Sequence, residues 1–376
     1  MSYDIVFLTD SRSEYSLMKR TLMELNKYVK LKIIATGMHL SKQYGYTVEE
    51  IEKDGFDVEK VETLIDSDTS FAMLKTLGLE LLNVTQIIKK LKPKLIFVEG
   101  DRGNALIGAM IGAYLNIPVI HHGGGDLSGS IDNKVRYAIS MFADYHLVGN
   151  IDSYNRLKSM GISEEKIFIV GEPGVDDIYL KNYTLPKDIE QKFKLDLNKP
   201  LALLLFHPDT NELDNIHLQI KSILDSLVEL NLQTVAIYAN SDAGGRIINY
   251  YLDLYSTKYD FIKVYPHINR KDFLGLMNVC NFMIGNSSSG IVELPCFKKI
   301  FIHIGNRQKS RLNAGNVIFV KEYNKEKIKN IIKDILNEKY LVKNIRNPYG
   351  NGQSYIKITQ IILDILEKVK NHDKDY

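Results

Sequence analysis

A run of small polar residues in the second half of the chain has the composition of an anion-binding turn. It reads Gly285-Asn286-Ser287-Ser288-Ser289-Gly290, follows a short apolar stretch and is followed closely by Glu293. Backbone N–H groups and hydroxyls in such a turn, ahead of a helix, suit a phosphate or pyrophosphate. A capped helix start is the alternative, because Ser and Gly are common caps and Glu is favoured in a first helical turn. Taken alone, the run slightly favours the capped helix.

A glycine-rich turn in the first half could let a ligand approach the backbone closely. It reads His121-His122-Gly123-Gly124-Gly125, and Asp126 and Asp132 lie just beyond it. Glycine leaves the backbone uncovered, and carboxylates beside such a turn can act as acids or bases. Successive residues of an extended chain face opposite ways, so we do not expect the two histidines to ligate one metal. We expect one of them to be a hydrogen-bonded core residue.

Other polar residues that follow apolar stretches are Asp101 with Arg102, and His207. Asp101 and Arg102 could form a simple ion pair, and taken alone that interpretation is favoured. The two cysteines, Cys280 and Cys296, have the spacing of neither a zinc knuckle nor a disulfide framework. We therefore predict no metal site and a reduced, cytoplasmic protein.

Composition and charge narrow the class of protein. The chain has 376 residues, of which 45% are hydrophobic and 25% charged, values typical of two globular domains. Its 48 Lys and Arg against 46 Asp and Glu leave a net charge of +2, too balanced for a protein that coats nucleic acid. The sequence lacks a basic leader and a long uncharged apolar run, so we expect neither secretion nor a membrane span. No G-x-G-x-x-G follows the first apolar stretch, so we expect no nicotinamide or flavin cofactor.

The elements that would position these residues are short stretches rich in Val, Ile and Leu, which alternate with segments of helical period. This pattern predicts α/β architecture, with parallel sheets covered by helices on both faces. Ligands bind beyond the carboxyl ends of such strands, so the polar groups that follow the strands should meet at one edge. The predicted strands are 4–8, 32–36, 95–99, 118–121, 145–148, 167–170, 201–206, 234–238, 261–264, 282–285, 299–303 and 317–320.

Six predicted strands in each half indicate two similar domains. Residues 180–200, with five Lys and two Pro, break the alternation and predict the linker. We therefore expect an N-terminal Rossmann-like domain over 1–179 and a C-terminal one over 180–346. Apolar residues at helical spacing predict one amphipathic helix over 354–372, in a last segment that spans 347–376.

Taken together and in order, these motifs resemble the hydrolysing UDP-N-acetylglucosamine 2-epimerase family of sialic and nonulosonic acid biosynthesis. The likeness extends from residue 4 to about residue 320. The matching stretches are TDSRSEY from Thr9, ATGMHLSKQYGYTVEEI from Ala35, GDR from Gly100, NIPVIHHGG from Asn116, FHPDT from Phe206, IGNSSSGIVELP from Ile284 and IGNRQKSR from Ile304.

The resemblance implies the GT-B fold, in which two Rossmann-like domains face a central cleft and a last helix crosses back to the N-terminal domain. It also implies homodimers or homotetramers, and a role for each motif residue. Matches to the catalytic positions of the family are Asp101, Asp132 and His207. Expected nucleotide and phosphate contacts are Arg12, Asn286, Ser287, Ser288, Ser289, Gly290 and Glu293. Expected sugar contacts are His39, Arg102, His122, Gly123, Gly124 and Arg136.

Two departures from the family pattern stand out. The family has a catalytic Glu directly after the glycine pair, where this chain has Gly125 and only then Asp126. We hypothesise that Asp126 supplies the missing carboxylate. An Arg-His pair of the family is Arg136-Tyr137 here. The altered pocket wall could accept a 2,4-diacetamido-6-deoxy sugar in place of N-acetylglucosamine.

The family reaction begins with anti elimination of the nucleoside diphosphate to give a 2-acetamidoglucal, and hydration then releases a free mannosamine-type sugar. A positioned carboxylate can take the C2 proton, and N–H donors can stabilise the departing diphosphate. Three alternatives stay open: a non-hydrolysing 2-epimerase, a GT-B glycosyltransferase and a catalytically silent nucleotide-sugar sensor. The sequence also leaves open a UDP or a GDP donor.

Overall fold

Two parallel β-sheets, formed by consecutive parts of the chain, organise the structure. The computed structural model describes residues 2–67, 69–128, 131–209, 211–240, 242–340 and 345–372. Within these residues the first sheet has seven strands and the second has six, and every strand pair is parallel. Both sheets follow the doubly wound pattern, which has a ligand-binding crevice at the carboxyl ends of the strands.

The first sheet has the strand order β3-β2-β1-β4-β5-β6-β7. Its strands are β1 Ile5–Thr9, β2 Leu31–Ala35, β3 Asp57–Lys60, β4 Leu95–Glu99, β5 Val119–His122, β6 Tyr145–Val148 and β7 Ile167–Ile169. The helices of this part are α1 Arg12–Leu25, α2 Val48–Lys53, α3 Ser70–Leu91, α4 Gly103–Leu115, α5 Ile131–Phe142, α6 Ile151–Ser159 and α7 Asp176–Tyr179.

The second sheet has the order β10-β9-β8-β11-β12-β13. Its strands are β8 Leu201–Leu205, β9 Gln233–Ile237, β10 Ile262–Tyr265, β11 Phe282–Gly285, β12 Ile300–Ile304 and β13 Val317–Val320. The helices are α8 Pro186–Phe193, α9 Ile216–Glu229, α10 Gly245–Lys258, α11 Arg270–Val279, α12 Ser289–Val292, α13 Lys325–Leu336 and α14 Ser354–His372.

The strand prediction is confirmed for twelve strands and missed β3. Asp57–Lys60 reads DVEK and forms the exposed edge of the first sheet, so it lacks the continuous apolar run of a buried strand. The predicted linker also contains a helix, α8, whose Ile189 and Phe193 pack into the core of the second sheet. The domain boundaries at 180 and 347 stay predictions.

The last helix packs on the first sheet, far from its neighbours in sequence. Ile358, Ile362 and Ile365 belong to the same buried cluster as Ile5 and Phe7 of β1. Its start is capped by a distant carboxylate: Asp176 accepts hydrogen bonds from the backbone N–H groups of Ser354, at 3.0 Å, and Tyr355, at 2.7 Å. This packing ties the C-terminal end of the chain to α1 and β1.

One described helix, α3, is long and apolar enough to cross a membrane by length and composition alone. A single helix of this kind is weak evidence, since an ordinary helix of a folded protein can pass the same test. Its exposed face carries Phe71, Leu74 and Leu82, each about two-thirds exposed.

Candidate active site

A polar cleft lies where the carboxyl ends of the two sheets face each other, and its cavity has a volume of about 340 Å³. Loops after β4 and β5 form one wall, and loops after β8 and β11 form the other. Ten of the residues predicted from the sequence line it: Arg12, Asp101, Arg102, Gly123, Arg136, His207, Ser287, Ser288, Ser289 and Glu293. The remaining seven lie behind this surface: His39, His122, Gly124, Asp126, Asp132, Asn286 and Gly290. Thr210 of the FHPDT stretch lies outside the described residues.

The serine-rich turn presents unpaired backbone donors to the cleft. Among the described residues, no acceptor pairs with the backbone N–H groups of Ser287 and Ser288. The helix that follows, α12, spans only Ser289–Val292, because Pro295 belongs to a separate 3-10 turn over Leu294–Phe297. The anion-binding capacity therefore comes from local N–H groups and hydroxyls, rather than from the dipole of a long helix.

Two residues behind the turn hold it in place. The side chain of Asn286 accepts from the backbone N–H of His207 and donates to its carbonyl, both at 2.8 Å, which joins the loops after β8 and β11. A Cβ on Gly290 would lie 2.5 Å from the Phe301 ring, so only glycine fits there. Asn286 and Gly290 thus position the turn without lining the cleft.

The imidazole of His207 is held in a neutral form. Its Nδ1 accepts a hydrogen bond from the backbone N–H of Asn240 at 3.3 Å, which leaves the proton on Nε2. Burial first, then the cationic Arg307 and Arg102, hold the pKa of His207 well below its ordinary value. At neutral pH it can therefore donate a hydrogen bond without carrying charge.

Carboxylate–arginine pairs surround the centre of the cleft. Asp101, whose side chain is 27% exposed, accepts from Arg136. Asp132, on the first domain, accepts from Arg307 of the second domain at 3.2 Å. Asp101 remains open to a ligand, while Asp132 contributes to an ion pair between the domains.

Arg12 and Arg270, the partner of Glu293, also connect the two domains. Arg12 donates to the carbonyl of Ile268 and pairs with Glu50 at 3.2 Å. Glu293, 2% exposed, pairs with Arg270, which also donates to the carbonyl of Gly174 at 2.5 Å. The two ion pairs fix the orientation of polar side chains that line the cleft.

Asp126 is fully engaged behind the cleft. Its carboxylate accepts from Arg311 of the second domain, from Ser153 and from Asn150. Burial alone would raise the pKa of Asp126, but the Arg311 and Arg136 guanidinium groups outweigh it and lower the pKa. Asp126 thus links the two domains, and its role as the missing carboxylate stays a hypothesis.

The backbone at Gly125 explains why no glutamate stands there. Gly125 has φ of +77°, and a Cβ would lie 2.4 Å from the carbonyl oxygen of Ser153. Gly123 also has positive φ, +83°, and passes close to Gly100. A side chain at position 125 would collide with α6, so any carboxylate here must come from another element.

The two predicted histidine ligands of the sugar lie in the core. His39 is fully buried between the hydroxyls of Thr9, at 3.1 Å, and Thr47, at 2.8 Å. Burial lowers the pKa of His39 to about 4, which keeps it neutral. His122 contacts Glu99 and the carbonyl of Gly171, and its neighbour His121 contacts the carbonyl of Gly100 at 2.8 Å. Both adjacent histidines are thus hydrogen-bonded core residues, where we expected one.

Gly124 lies behind the cleft because it packs on the core. A Cβ there would lie 3.0 Å from His121 Nδ1 and from Ser140 Oγ. The residue therefore allows the glycine-rich turn to pass over the histidine pair.

Sequence reasoning missed several charged residues of the cleft wall. Arg307 and Arg311 belong to a stretch that supported the family resemblance, but neither was singled out as a site residue. Glu172 follows β7, and the rule that places ligands beyond strand ends could have found it. Among the residues that the structure describes, six arginines line the cleft: Arg12, Arg102, Arg136, Arg270, Arg307 and Arg311.

Comparison with solved structures defines the fold class. UDP-N-acetylglucosamine 2-epimerase from Neisseria meningitidis, solved with UDP-GlcNAc bound, superposes with a TM-score of 0.80 at 19% identity, over 96% of this chain and 99% of that one. The Methanocaldococcus jannaschii UDP-GlcNAc 2-epimerase, solved with UDP-GlcNAc and UDP, also gives 0.80, at 22% identity and the same coverage. The two sheets and their cleft therefore form a GT-B fold, as predicted.

Comparison at the sequence level defines the family. The pattern of the family described as UDP-N-acetylglucosamine 2-epimerase matches residues 22–363. A Legionella pneumophila protein named UDP-N,N'-diacetylbacillosamine 2-epimerase (hydrolyzing) is 34% identical over 96% of both chains. A Campylobacter jejuni GDP/UDP-N,N'-diacetylbacillosamine 2-epimerase (hydrolyzing) is 34% identical over 84% of this chain and 83% of that one. The chain belongs to the UDP-N-acetylglucosamine 2-epimerase family, and the predicted membership is confirmed.

Proposed function

We propose that this protein is a hydrolysing 2-epimerase, which converts a UDP-linked 2-acetamido sugar into UDP and a free mannosamine-type sugar. The observation that carries the proposal is the arrangement of the cleft. One wall presents the unpaired N–H groups of Ser287 and Ser288, and the facing wall presents the carboxylate of Asp101. The names of the two relatives that are 34% identical also specify hydrolysing 2-epimerases.

The serine-rich turn is the proposed leaving-group site. Elimination places negative charge on the β-phosphate oxygen as its bond to C1 breaks. Fixed N–H and hydroxyl donors stabilise such developing charge, and they are most effective where water is excluded. The six arginines around the cleft add positive charge to the same region. The cleft is thus built to hold UDP tightly while the sugar reacts.

The first domain is proposed to bind the sugar and to carry out proton transfer at C2. Asp101 is a predicted carboxylate that lines the cavity, and Arg136 holds it in position. His207, neutral and facing the same cavity, can orient a sugar hydroxyl or relay a proton. Water then adds to C1 of the 2-acetamidoglucal while a proton returns to C2 on the opposite face.

For the sugar, we propose a 2,4-diacetamido-2,4,6-trideoxy hexose carried on UDP. The two relatives named for diacetylbacillosamine are each 34% identical to this chain, whereas the Neisseria meningitidis serogroup B UDP-N-acetylglucosamine 2-epimerase is 29% identical over 84% of it. The product would enter the synthesis of a nonulosonic acid. Gly125 and Tyr137, where the family has Glu and His, are consistent with an altered sugar pocket.

The test is incubation of the purified protein with UDP-N,N'-diacetylbacillosamine, UDP-GlcNAc and GDP-N,N'-diacetylbacillosamine, followed by proton NMR. We expect the first donor to give free 2,4-diacetamido sugar with the manno configuration, together with UDP, at the highest rate. A UDP-linked epimer without free sugar would identify a non-hydrolysing enzyme, and binding without turnover would identify a sensor. A glycosyltransferase would instead require an acceptor and form a new glycosidic bond.

We also propose that the protein is cytoplasmic and forms homodimers or homotetramers. The exposed apolar face of α3, formed by Phe71, Leu74 and Leu82, supports association, because isolated chains rarely expose large apolar patches. Light scattering coupled to size-exclusion chromatography measures the number of chains in the assembly. A monomer at micromolar concentration would contradict it.

A further inference from the structure

Three carboxylates interact behind the glycine-rich turn, and two of them have a cationic partner in direct contact. Glu99 pairs with His122, with 2.6 Å between Oε2 and Nδ1, and Asp126 pairs with Arg311. Glu172 is the third carboxylate of this group, and it lines the cleft. The charges of His122, Glu99, Asp126 and Arg311 act on Glu172, Tyr349 also interacts with it, and Arg136 acts on Asp126.

The contacts of both ring nitrogens of His122 fit a protonated, positively charged imidazole. Its Nδ1 faces the Glu99 carboxylate and its Nε2 lies 3.3 Å from the carbonyl of Gly171, so both ring nitrogens face acceptors. Only imidazolium has a proton on each nitrogen. Burial alone would lower the pKa of His122, but Glu99 and Glu172 outweigh it and raise the pKa to about 10. The positive charge of His122 therefore mainly balances Glu99.

In the described part of the chain, Glu172 is a buried carboxylate with one oxygen unpaired. Among the described residues, none donates a hydrogen bond to its buried Oε1, although the residue is only 8% exposed. Its Oε1 lies against the backbone of Gly149, where a Cβ would come within 2.2 Å. Burial raises the pKa of Glu172 to about 7; the positive charges of His122 and Arg311 oppose this effect, and the negative charges of Asp126 and Glu99 add to it. A buried carboxylate without a donor binds a proton more readily than a paired one.

Glu172 lines the cavity from outside the glycine-rich turn. Position 125 has no room for a side chain, because a Cβ there would collide with the carbonyl oxygen of Ser153. Glu172, which follows β7, lines the cavity together with Gly123 and Gly174. Because the glycines of this turn have no side chains, a sugar ring can approach this part of the cavity closely.

We propose that Glu172 is the base that removes the C2 proton of the sugar, an assignment that rests on the proposed function. The C2–H proton passes to the Glu172 carboxylate, and the C2–H electron pair forms the C1=C2 double bond. The C1–O bond breaks, and its electron pair leaves with the β-phosphate oxygen of UDP. Water then supplies the hydroxyl at C1, and a proton returns to C2 on the other face of the ring.

The decisive variant is Glu172→Gln, which keeps the shape of the side chain. We expect UDP release to fall about 10²–10⁴-fold, the usual contribution of a positioned base. UDP affinity by calorimetry should be unchanged, and 2-acetamidoglucal added together with UDP should still be hydrated. Glu164→Gln, at a surface glutamate paired with Lys158, is the matched control and should keep wild-type turnover.

Near-wild-type UDP release by Glu172→Gln would overturn the assignment while the proposed function stands. UDP release at the wild-type rate with accumulation of the glycal would also overturn it, because that result places Glu172 in the hydration step. A wild-type protein that releases UDP from none of the three donors would overturn the proposed function itself. Glu172→Asp, which keeps the carboxylate, should recover part of the lost rate.

Discussion

Arg311 of the second domain donates a hydrogen bond to the carboxylate of Asp126 in the first domain, and both side chains are nearly buried. The ion pair joins the two domains next to the glycine-rich turn. It therefore fixes how the two domains face each other. Both oxygens of Asp126 accept hydrogen bonds, Oδ2 from Arg311 and Oδ1 from Ser153 and Asn150.

This pair predicts strong energetic coupling between the domains. Removal of one member of a buried pair typically costs about 3–5 kcal/mol, because the other charge stays buried and uncompensated. We expect Asp126→Asn and Arg311→Met each to destabilise the protein strongly, and the double variant to be less destabilised than the sum of the two. The measurement is thermal unfolding of all four proteins. Additive losses would contradict a direct pair.

The serine-rich turn predicts a selective loss of diphosphate affinity. A hydrogen bond to a charged group contributes about 1.5–3 kcal/mol, so the Ser288→Ala, Ser289→Ala double variant should bind UDP at least about tenfold more weakly. Binding of uridine, which lacks the diphosphate, should not change. Isothermal titration with both ligands measures this, and Ser159→Ala, at an exposed serine, is the control. Equal losses for UDP and uridine would mean that the turn holds the nucleoside and not the diphosphate.

Asp101 predicts a catalytic loss without a binding loss. Asp101→Asn should cut turnover about 10²–10⁴-fold, because an amide can neither take nor deliver the proton. UDP should bind as before, since Asp101 lies on the wall opposite the serine-rich turn. Steady-state UDP release and UDP titration measure the two quantities. Wild-type turnover would remove Asp101 from the proposed acid and base groups.

The raised pKa of Glu172 predicts that the free energy of unfolding depends on pH. The pKa is about 7 in the folded protein, above the ordinary value of 4.5, so the folded state binds the proton more tightly than the unfolded chain. Stability is therefore lost as pH rises from about 4.5 to about 7, and the loss persists above that.

Glu172→Gln removes this loss, so its melting temperature should exceed that of the wild type by roughly 2 °C or more at pH 8. The difference should shrink towards pH 5, where Glu172 is protonated in the wild type. Scanning calorimetry at the two pH values checks this. A variant that is less stable than the wild type at pH 8 would mean that Glu172 is paired when ionised.

Much of the fold follows from sequence pattern. Buried parallel strands are continuous apolar runs, and twelve of them could be located within a residue or two. The amphipathic spacing of Ile358, Ile362 and Ile365 also gave the last helix its correct bounds. Strand β3 could not be found this way, because DVEK at an exposed edge has no apolar run.

The site was only partly predictable, for a physical reason. Turns such as 287–290 carry their chemistry in local composition, and they were found. Pairs such as Asp126–Arg311, which are 185 residues apart, depend on how two domains meet. No local pattern encodes that contact. The environment of Glu172 likewise depends on the fold, because His122 pairs with Glu99 and Arg311 pairs with Asp126.

The most direct test of the account is the reaction of UDP-N,N'-diacetylbacillosamine in D₂O, followed by proton NMR and mass spectrometry. Elimination and rehydration predict free 2,4-diacetamido sugar with the manno configuration, one deuteron at C2, and UDP released in equal amount. Recovery of the donor with no deuterium at C2, or release of a sugar that keeps its original C2 proton, would contradict the proposed chemistry.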